Sequence, residues 1–151
     1  MVTTIRTESA LEDLLTDLAQ LDFDAAAAYQ AAIDRLDKAE FKAALTEFRE
    51  DHLRHTRELG ECLREMGKPA PTEGDMKQIL AKGKVVIGGL MGDKAILEAM
   101  RTNEDDTVTA YDRAVGHRDC PPSVRDVLER AQGDEHRHCA WVQQALASLK
   151  S

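Results

Sequence analysis

Apolar side chains return every three or four positions along four stretches of this chain, the mark of helices that each bury one face. The first stretch starts near Ser9 and runs through Leu11, Leu15, Leu18, Ala25, Tyr29, Ile33 and Leu36, with Ser9 and Glu12 spaced as a capping box. The second follows Asp37, with Glu40 three residues on as a second capping box, and runs through Phe41, Leu45, Phe48, Leu59, Cys62 and Met66. Gly67, then Pro69 and Pro71, end it. The third is capped by Asp93, carries Leu97, Met100, Thr107, Tyr111 and Ala114, and ends near Gly116. The fourth follows Pro121-Pro122-Ser123 and carries Val124, Leu128, Ala131, Val142, Ala145 and Leu149. No strand-like alternation of useful length interrupts them. The pattern predicts an all-α fold, an antiparallel four-helix bundle forming a single domain over residues 1–151. Two tight hairpins are joined by one long crossover, residues 68–93, containing a short helix from Asp75 to Leu90 weakened by Gly83, Gly88 and Gly89.

Six residues on these apolar faces do not belong there: Asp22, His52, His55, Glu104, Glu135 and His138. Every helix contributes at least one, and each lies near mid-helix, so antiparallel packing brings them to one depth. A buried unpaired carboxylate costs several kcal/mol, and three together repel one another. Cations are the natural compensation, and the six are read as ligands of a pair of metal ions.

The two halves of the chain repeat this pattern. Asp22 and Tyr29 are seven residues apart, as are Glu104 and Tyr111. Asp51-His52-Leu53-Arg54-His55 matches Asp134-Glu135-His136-Arg137-His138 as Asp-x-x-Arg-His. A pseudo-two-fold axis through the site is implied. Residues three apart share a helix face, so Glu135 and His138 can reach one interior point, the Glu-x-x-His arrangement of carboxylate-bridged dimetal bundles. Asp51 and Asp134 are placed to accept the outer N–H of a ligand histidine, including one from the other half. Tyr29 and Tyr111 are placed to donate to carboxylates across the site.

Composition narrows the alternatives. With 42% hydrophobic and 32% charged residues the chain belongs with globular proteins rather than disordered ones. A net charge of −8 without a basic patch argues against nucleic acid as a partner. The longest apolar runs are too short to cross a membrane, and the N-terminus lacks a basic start and an apolar stretch, so a cytoplasmic location is expected. For a chain of this size a monomer or homodimer is expected rather than a closed storage cage. Cys62, Cys120 and Cys139 offer neither a disulfide framework nor a paired zinc signature, and His117 with Cys120 lacks further ligands. The run Ile87 to Gly92 does not continue as a phosphate loop. Gly133 costs about 1 kcal/mol relative to alanine inside a helix, and a close helix approach beside the site is one reason to keep it.

Asp134-Glu135, His138 and Trp141 resemble the last-helix motif of bacterioferritin and rubrerythrin, Asp-Glu-x-x-His-x-x-Trp, and the pairs Asp22–Tyr29 and Glu104–Tyr111 resemble carboxylate–tyrosine pairs on their first and third helices. One long crossover is also the connectivity of ferritin-like bundles. The resemblance spans Leu11 to Leu149 and implies a ferritin-like fold with a di-iron centre that oxidises Fe(II) or a small substrate with O2 or peroxide, in the manner of a ferroxidase or peroxidase. Two positions depart from the family: His52 replaces the first Glu-x-x-His glutamate, and Asp22 replaces a glutamate. Three carboxylates and three histidines make a more nitrogen-rich set, open to Zn or Mn as well as Fe. A redox-silent Zn or Mn bundle with a structural or stress-related role is therefore the alternative.

Overall fold

The structure is a computed structural model that describes residues 2–74, 87, 90–117 and 120–149. Its described residues form four helices and no strand: α1 Val2–Arg35, α2 Ala39–Glu65, α3 Asp93–Val115 and α4 Pro122–Ser148. Each buries the face that the periodicity assigns to it. At the far end of α1 the buried position is Ala32 rather than Ile33, the small drift of a 3.6-residue repeat.

The helix ends differ from expectation more than the helices do. α1 extends back to Val2, so Ser9 lies inside it and is no N-cap. α2 is preceded by Lys38, which makes no side-chain cap bond, and the Glu40 capping box does not form. Asp93 is the first residue of α3 rather than its cap. Its carboxylate instead accepts the backbone N–H groups of Asp37 at 2.7 Å and Lys38 at 3.1 Å, tying α3 to the α1–α2 corner. The α2 C-terminus closes as the glycine and prolines foretold. Gly67 adopts φ +78°, with Lys68 N–H donating to the Leu63 carbonyl and Gly67 N–H to that of Arg64. This is a Schellman motif, and it requires the left-handed residue that glycine supplies most cheaply.

α1 packs against α2, α3 against α4, α1 against α3 and α2 against α4. Cross-helix contacts pair rising with falling residue numbers: Tyr29 with Glu104 and Tyr111 with Asp22, Arg54 with Asp134 and Arg137 with Asp51. Both pairs of facing helices are therefore antiparallel. Asp93 sits at the N-terminal end of α2, whereas the chain leaves α2 at its C-terminal end. The two ends of the crossover thus lie at opposite ends of α2, roughly 40 Å apart at 1.5 Å per residue. The crossover opens with Ala70 lying against Gly60, where an added Cβ would approach the Ala70 methyl to 3.2 Å. The expected crossover helix falls almost wholly outside the described residues.

Two separate apolar clusters fill the interior. One holds Leu36, Phe41, Leu45, Phe48, Ile96, Met100 and Val142, and the other Leu11, Leu15, Leu18, Leu59, Leu63, Val124 and Leu128. The six polar residues singled out by the sequence lie between them. Among the described residues, no helix is long and apolar enough to cross a membrane.

Candidate metal centre

The structure brings all six together. Asp22, His52, Glu135 and His138 are fully buried, and Glu104 and His55 are buried to within 1% and 2%. Their donor atoms form two overlapping groups: Asp22, His52, His55 and Glu135, and His52, Glu104, Glu135 and His138. His52 and Glu135 belong to both. His117 and Cys120 belong to no such group among the described residues.

In the first group, Asp22 Oδ1 lies 2.7 Å from His52 Nδ1 and 3.2 Å from His55 Nδ1, and Glu135 Oε1 lies 3.3 Å from each of those nitrogens. In the second, Glu104 Oε1 lies 3.4 Å from His52 Nε2 and 3.9 Å from His138 Nδ1, with Glu135 Oε2 3.5 Å from His138 Nδ1. A tetrahedral ion with bonds of ~2.0–2.1 Å has ligand–ligand edges of about 3.3–3.4 Å. Most of the separations fall at or near that value. Four buried atoms here, Glu104 Oε2, both Glu135 carboxylate oxygens and His138 Nδ1, have no hydrogen-bond partner. Native interiors rarely leave such groups unsatisfied. The residues present therefore fit a pair of cations.

The layer around the donors follows the internal repeat contact for contact. Tyr29 donates its hydroxyl to Glu104, and Tyr111 donates to Asp22. The Nε2–H of His55 donates to Asp134 at 2.9 Å, and that of His138 donates to Asp51 at 2.8 Å. Each aspartate thus serves the histidine of the other half, and leaves Nδ1 turned toward the interior, where a proton or a metal ion can occupy it. Arg54 bridges Asp134 and Asp51, and Arg137 bridges Asp51 and Asp134. The four charges close a ring over the α2–α4 face of the site. The two arginines were present in the repeated Asp-x-x-Arg-His, which is the signal that marks them.

Electrostatics show what the cluster lacks. Burial opposes protonation of His52, yet the charges of Glu135, Asp22 and Glu104 outweigh it and hold the pKa well above the usual imidazole value. His55 is likewise opposed by burial, and Asp22 and Glu135 raise it to about 10. Glu104 is raised by burial and by Glu135, against the pull of His52. Glu135 is lowered despite burial, through the His52 charge and the His138 and His55 rings. Burial, with Glu104 and Asp22 adding to it, keeps Tyr29 and Tyr111 protonated as donors. Without metal, protons on histidine serve as the site's cations.

The pseudo-symmetry also breaks beside the two outer histidines. Phe48 stacks on the His138 ring with centroids 4.2 Å apart. The equivalent position beside His55 is Ala131. A pocket of about 460 Å³ opens there, lined by Arg54, His55, Glu58, Arg130, Ala131 and Gly133 among others. Gly133 meets no close helix, contrary to the sequence reading: a Cβ there would face open space. The role of Phe48 was not readable from the sequence, where it counts as one more core aromatic.

A family model described as Domain of unknown function (DUF2383) matches residues 10–117, ending before α4. No curated protein matches the chain. A solved structure of the Desulfovibrio desulfuricans bacterioferritin, described as showing the diiron site in different catalytic states, superposes with a TM-score of 0.77. It is 22% identical and is covered over 82% of its length by 96% of this chain. The fold is that of a ferritin-like four-helix bundle.

Proposed function

The chain belongs to the DUF2383 family, and we propose that it is a dinuclear metal-binding protein whose ions sit in the two overlapping donor groups at mid-bundle. One ion would be held by Asp22, His52, His55 and Glu135, and the other by His52, Glu104, Glu135 and His138. The observation that carries this reading is the set of four buried polar atoms without partners, three of them carboxylate oxygens, on residues that share one donor group. The bacterioferritin named above has a diiron site, which favours iron as the ion. Bound iron would supply a one-electron couple at each position toward O2 or peroxide.

The chain's own residues prepare the site. Tyr29 and Tyr111 fix one oxygen of Glu104 and of Asp22, so that each carboxylate keeps a defined orientation. Asp51 and Asp134 hold the outer N–H of His138 and His55, so that Nδ1 is the donor atom in both. Arg54 and Arg137 neutralise the two aspartates. The apolar clusters on either side exclude bulk water and strengthen every charge interaction between them.

A specific observation favours a second reading. Three of the four N···O edges in the Asp22–His52–His55–Glu135 group, at 3.2–3.3 Å, have the tetrahedral length that suits Zn, which has no redox chemistry; the fourth is shorter at 2.7 Å. One experiment separates the readings. Protein purified without chelators is examined by native mass spectrometry with elemental analysis, then loaded anaerobically with Fe(II) and exposed to air. Two ions per chain and an absorption change in air support the redox centre. Two zinc ions and no change in air support the silent one, and a metal-free mass with no uptake would remove the site altogether.

A further inference from the structure

His52 is contacted unlike the other two histidines of the site. His55 and His138 each spend Nε2 on an aspartate outside the donor groups and turn only Nδ1 inward. His52 has no outer partner. Its Nδ1 faces Asp22 Oδ1 at 2.7 Å and Glu135 Oε1 at 3.3 Å, and its Nε2 faces Glu104 Oε1 at 3.4 Å. Asp22 and Glu104 belong to different donor groups, and His52 belongs to both. The ring therefore lies between the two ion positions with one nitrogen toward each.

We propose that His52 is a bridging ligand, binding one ion through Nδ1 and the other through Nε2. The proposal rests on the dinuclear reading above and specifies its geometry. Binding at both nitrogens requires that the ring lose its last N–H. The proton leaves to solvent, and an imidazolate of charge −1 remains. Charge balance gives an independent reason. Asp22, Glu104 and Glu135 contribute three negative charges, and the imidazolate a fourth, so that two divalent ions leave the buried layer neutral. A neutral His52 would leave one uncompensated positive charge in a fully buried site, which folded interiors avoid. At the equivalent position of the other half stands Glu135, which carries a full negative charge. His52 matches that charge only as a bridge.

The bridge fixes the distance between the ions. Two bonds of about 2 Å on opposite sides of a five-membered ring place them ~6 Å apart. Glu135 also reaches both positions, but through different oxygens, Oε1 on the Asp22 side and Oε2 on the His138 side, and so spans a wide pair as well. Pairs closed by a single shared oxygen lie ~3.5–4 Å apart. The test loads the full chain with two equivalents of Cu(II), chosen as a paramagnetic probe, and records its frozen-solution electron paramagnetic resonance with X-ray absorption at the copper edge. The expected result is two ions per chain, magnetically coupled with a half-field transition, at a separation near ~6 Å. His52→Gln should remove the exchange coupling carried by the ring and leave only the weaker through-space and Glu135 contributions. Two bound ions at ~3.5–4 Å would overturn the bridge while leaving the dinuclear reading intact, and so would coupling unchanged in His52→Gln. Failure to bind any ion would overturn both. Should His52→Gln not fold, the separation in the wild-type chain still decides.

Discussion

Glu104→Gln should stabilise the metal-free protein and weaken the loaded one. Glu104 is 1% exposed, Oε1 accepts from Tyr29, and Oε2 has no partner. Its pKa is raised by burial and by Glu135, with His52 opposing. A group whose folded pKa exceeds its unfolded value contributes stability below the unfolded value and loses it as pH rises through the folded one. At pH 7.5 the metal-free fold therefore carries a penalty at Glu104. Glutamine keeps the acceptor for Tyr29, cannot ionise, and places an N–H2 donor where the orphaned oxygen stood. A buried acceptor left unsatisfied costs about 1–3 kcal/mol, and a chain of this length shifts by roughly 2–4 °C per kcal/mol. Metal-free E104Q should melt about 2–12 °C above the wild type. Loading reverses the order. An ion at a thousandfold excess over Kd adds about 4 kcal/mol to the wild type, and the variant has lost an anionic donor for one of the two. The assay is thermal unfolding at pH 7.5, in chelator and with two equivalents of Zn(II). A metal-free E104Q that melts below the wild type would refute the uncompensated-carboxylate argument. A loaded variant that gains as much as the wild type would remove Glu104 from the ligands.

The remaining predictions concern access, packing and protons. Phe48→Ala should cost about 3–5 kcal/mol in thermal unfolding and speed chelator extraction of the ion beside His138, whereas Ala131→Phe should slow extraction of the ion beside His55; equal effects on both ions would contradict the one-sided pocket. Gly133→Ala should stabilise the protein by about 0.5–1 kcal/mol, since its Cβ meets open space in a helix interior, and a loss of stability would show that the pocket wall is tighter than described. His55, raised to about 10, contributes stability to the metal-free fold below about pH 6.5 that is lost as pH rises toward 10. The metal-free melting temperature should therefore fall across that window while metal affinity rises, because ions and protons compete for the same nitrogens; parallel trends in the two titrations would argue against shared sites.

Much of this was legible because a helix of fixed period places every residue on a face. Asp22, His52, His55, Glu104, Glu135 and His138 stood out as polar breaks in apolar stripes, and mid-helix depth alone was enough to gather them. The Tyr29 and Tyr111 bonds and the crossed Asp51 and Asp134 contacts followed from the repeat. Helix ends were less legible, because they depend on tertiary partners. Ser9 has cap chemistry but lies within a helix that continues to Val2, and Asp93 spends its carboxylate on another hairpin. The difference between Phe48 and Ala131 reads in sequence as two ordinary core residues. The neighbour that each covers or leaves open gives it meaning, and a stripe does not contain that. The two-sided environment of His52 was hidden for the same reason: spacing gives a face, and not which nitrogen meets which carboxylate.

The division of the interior into two apolar clusters bears on cooperativity. Cooperative unfolding needs the ends of a bundle to share the fate of the middle, and here the middle is a slab of acids and imidazoles. Among the described residues of the metal-free chain, helix continuity and the polar contacts of this slab couple one apolar end to the other, which lets the ends open with different free energies, as separate foldons. Ions in the slab would rivet all four helices at one level. By that route metal content sets whether the bundle behaves as one folding unit or as two sharing the same helices.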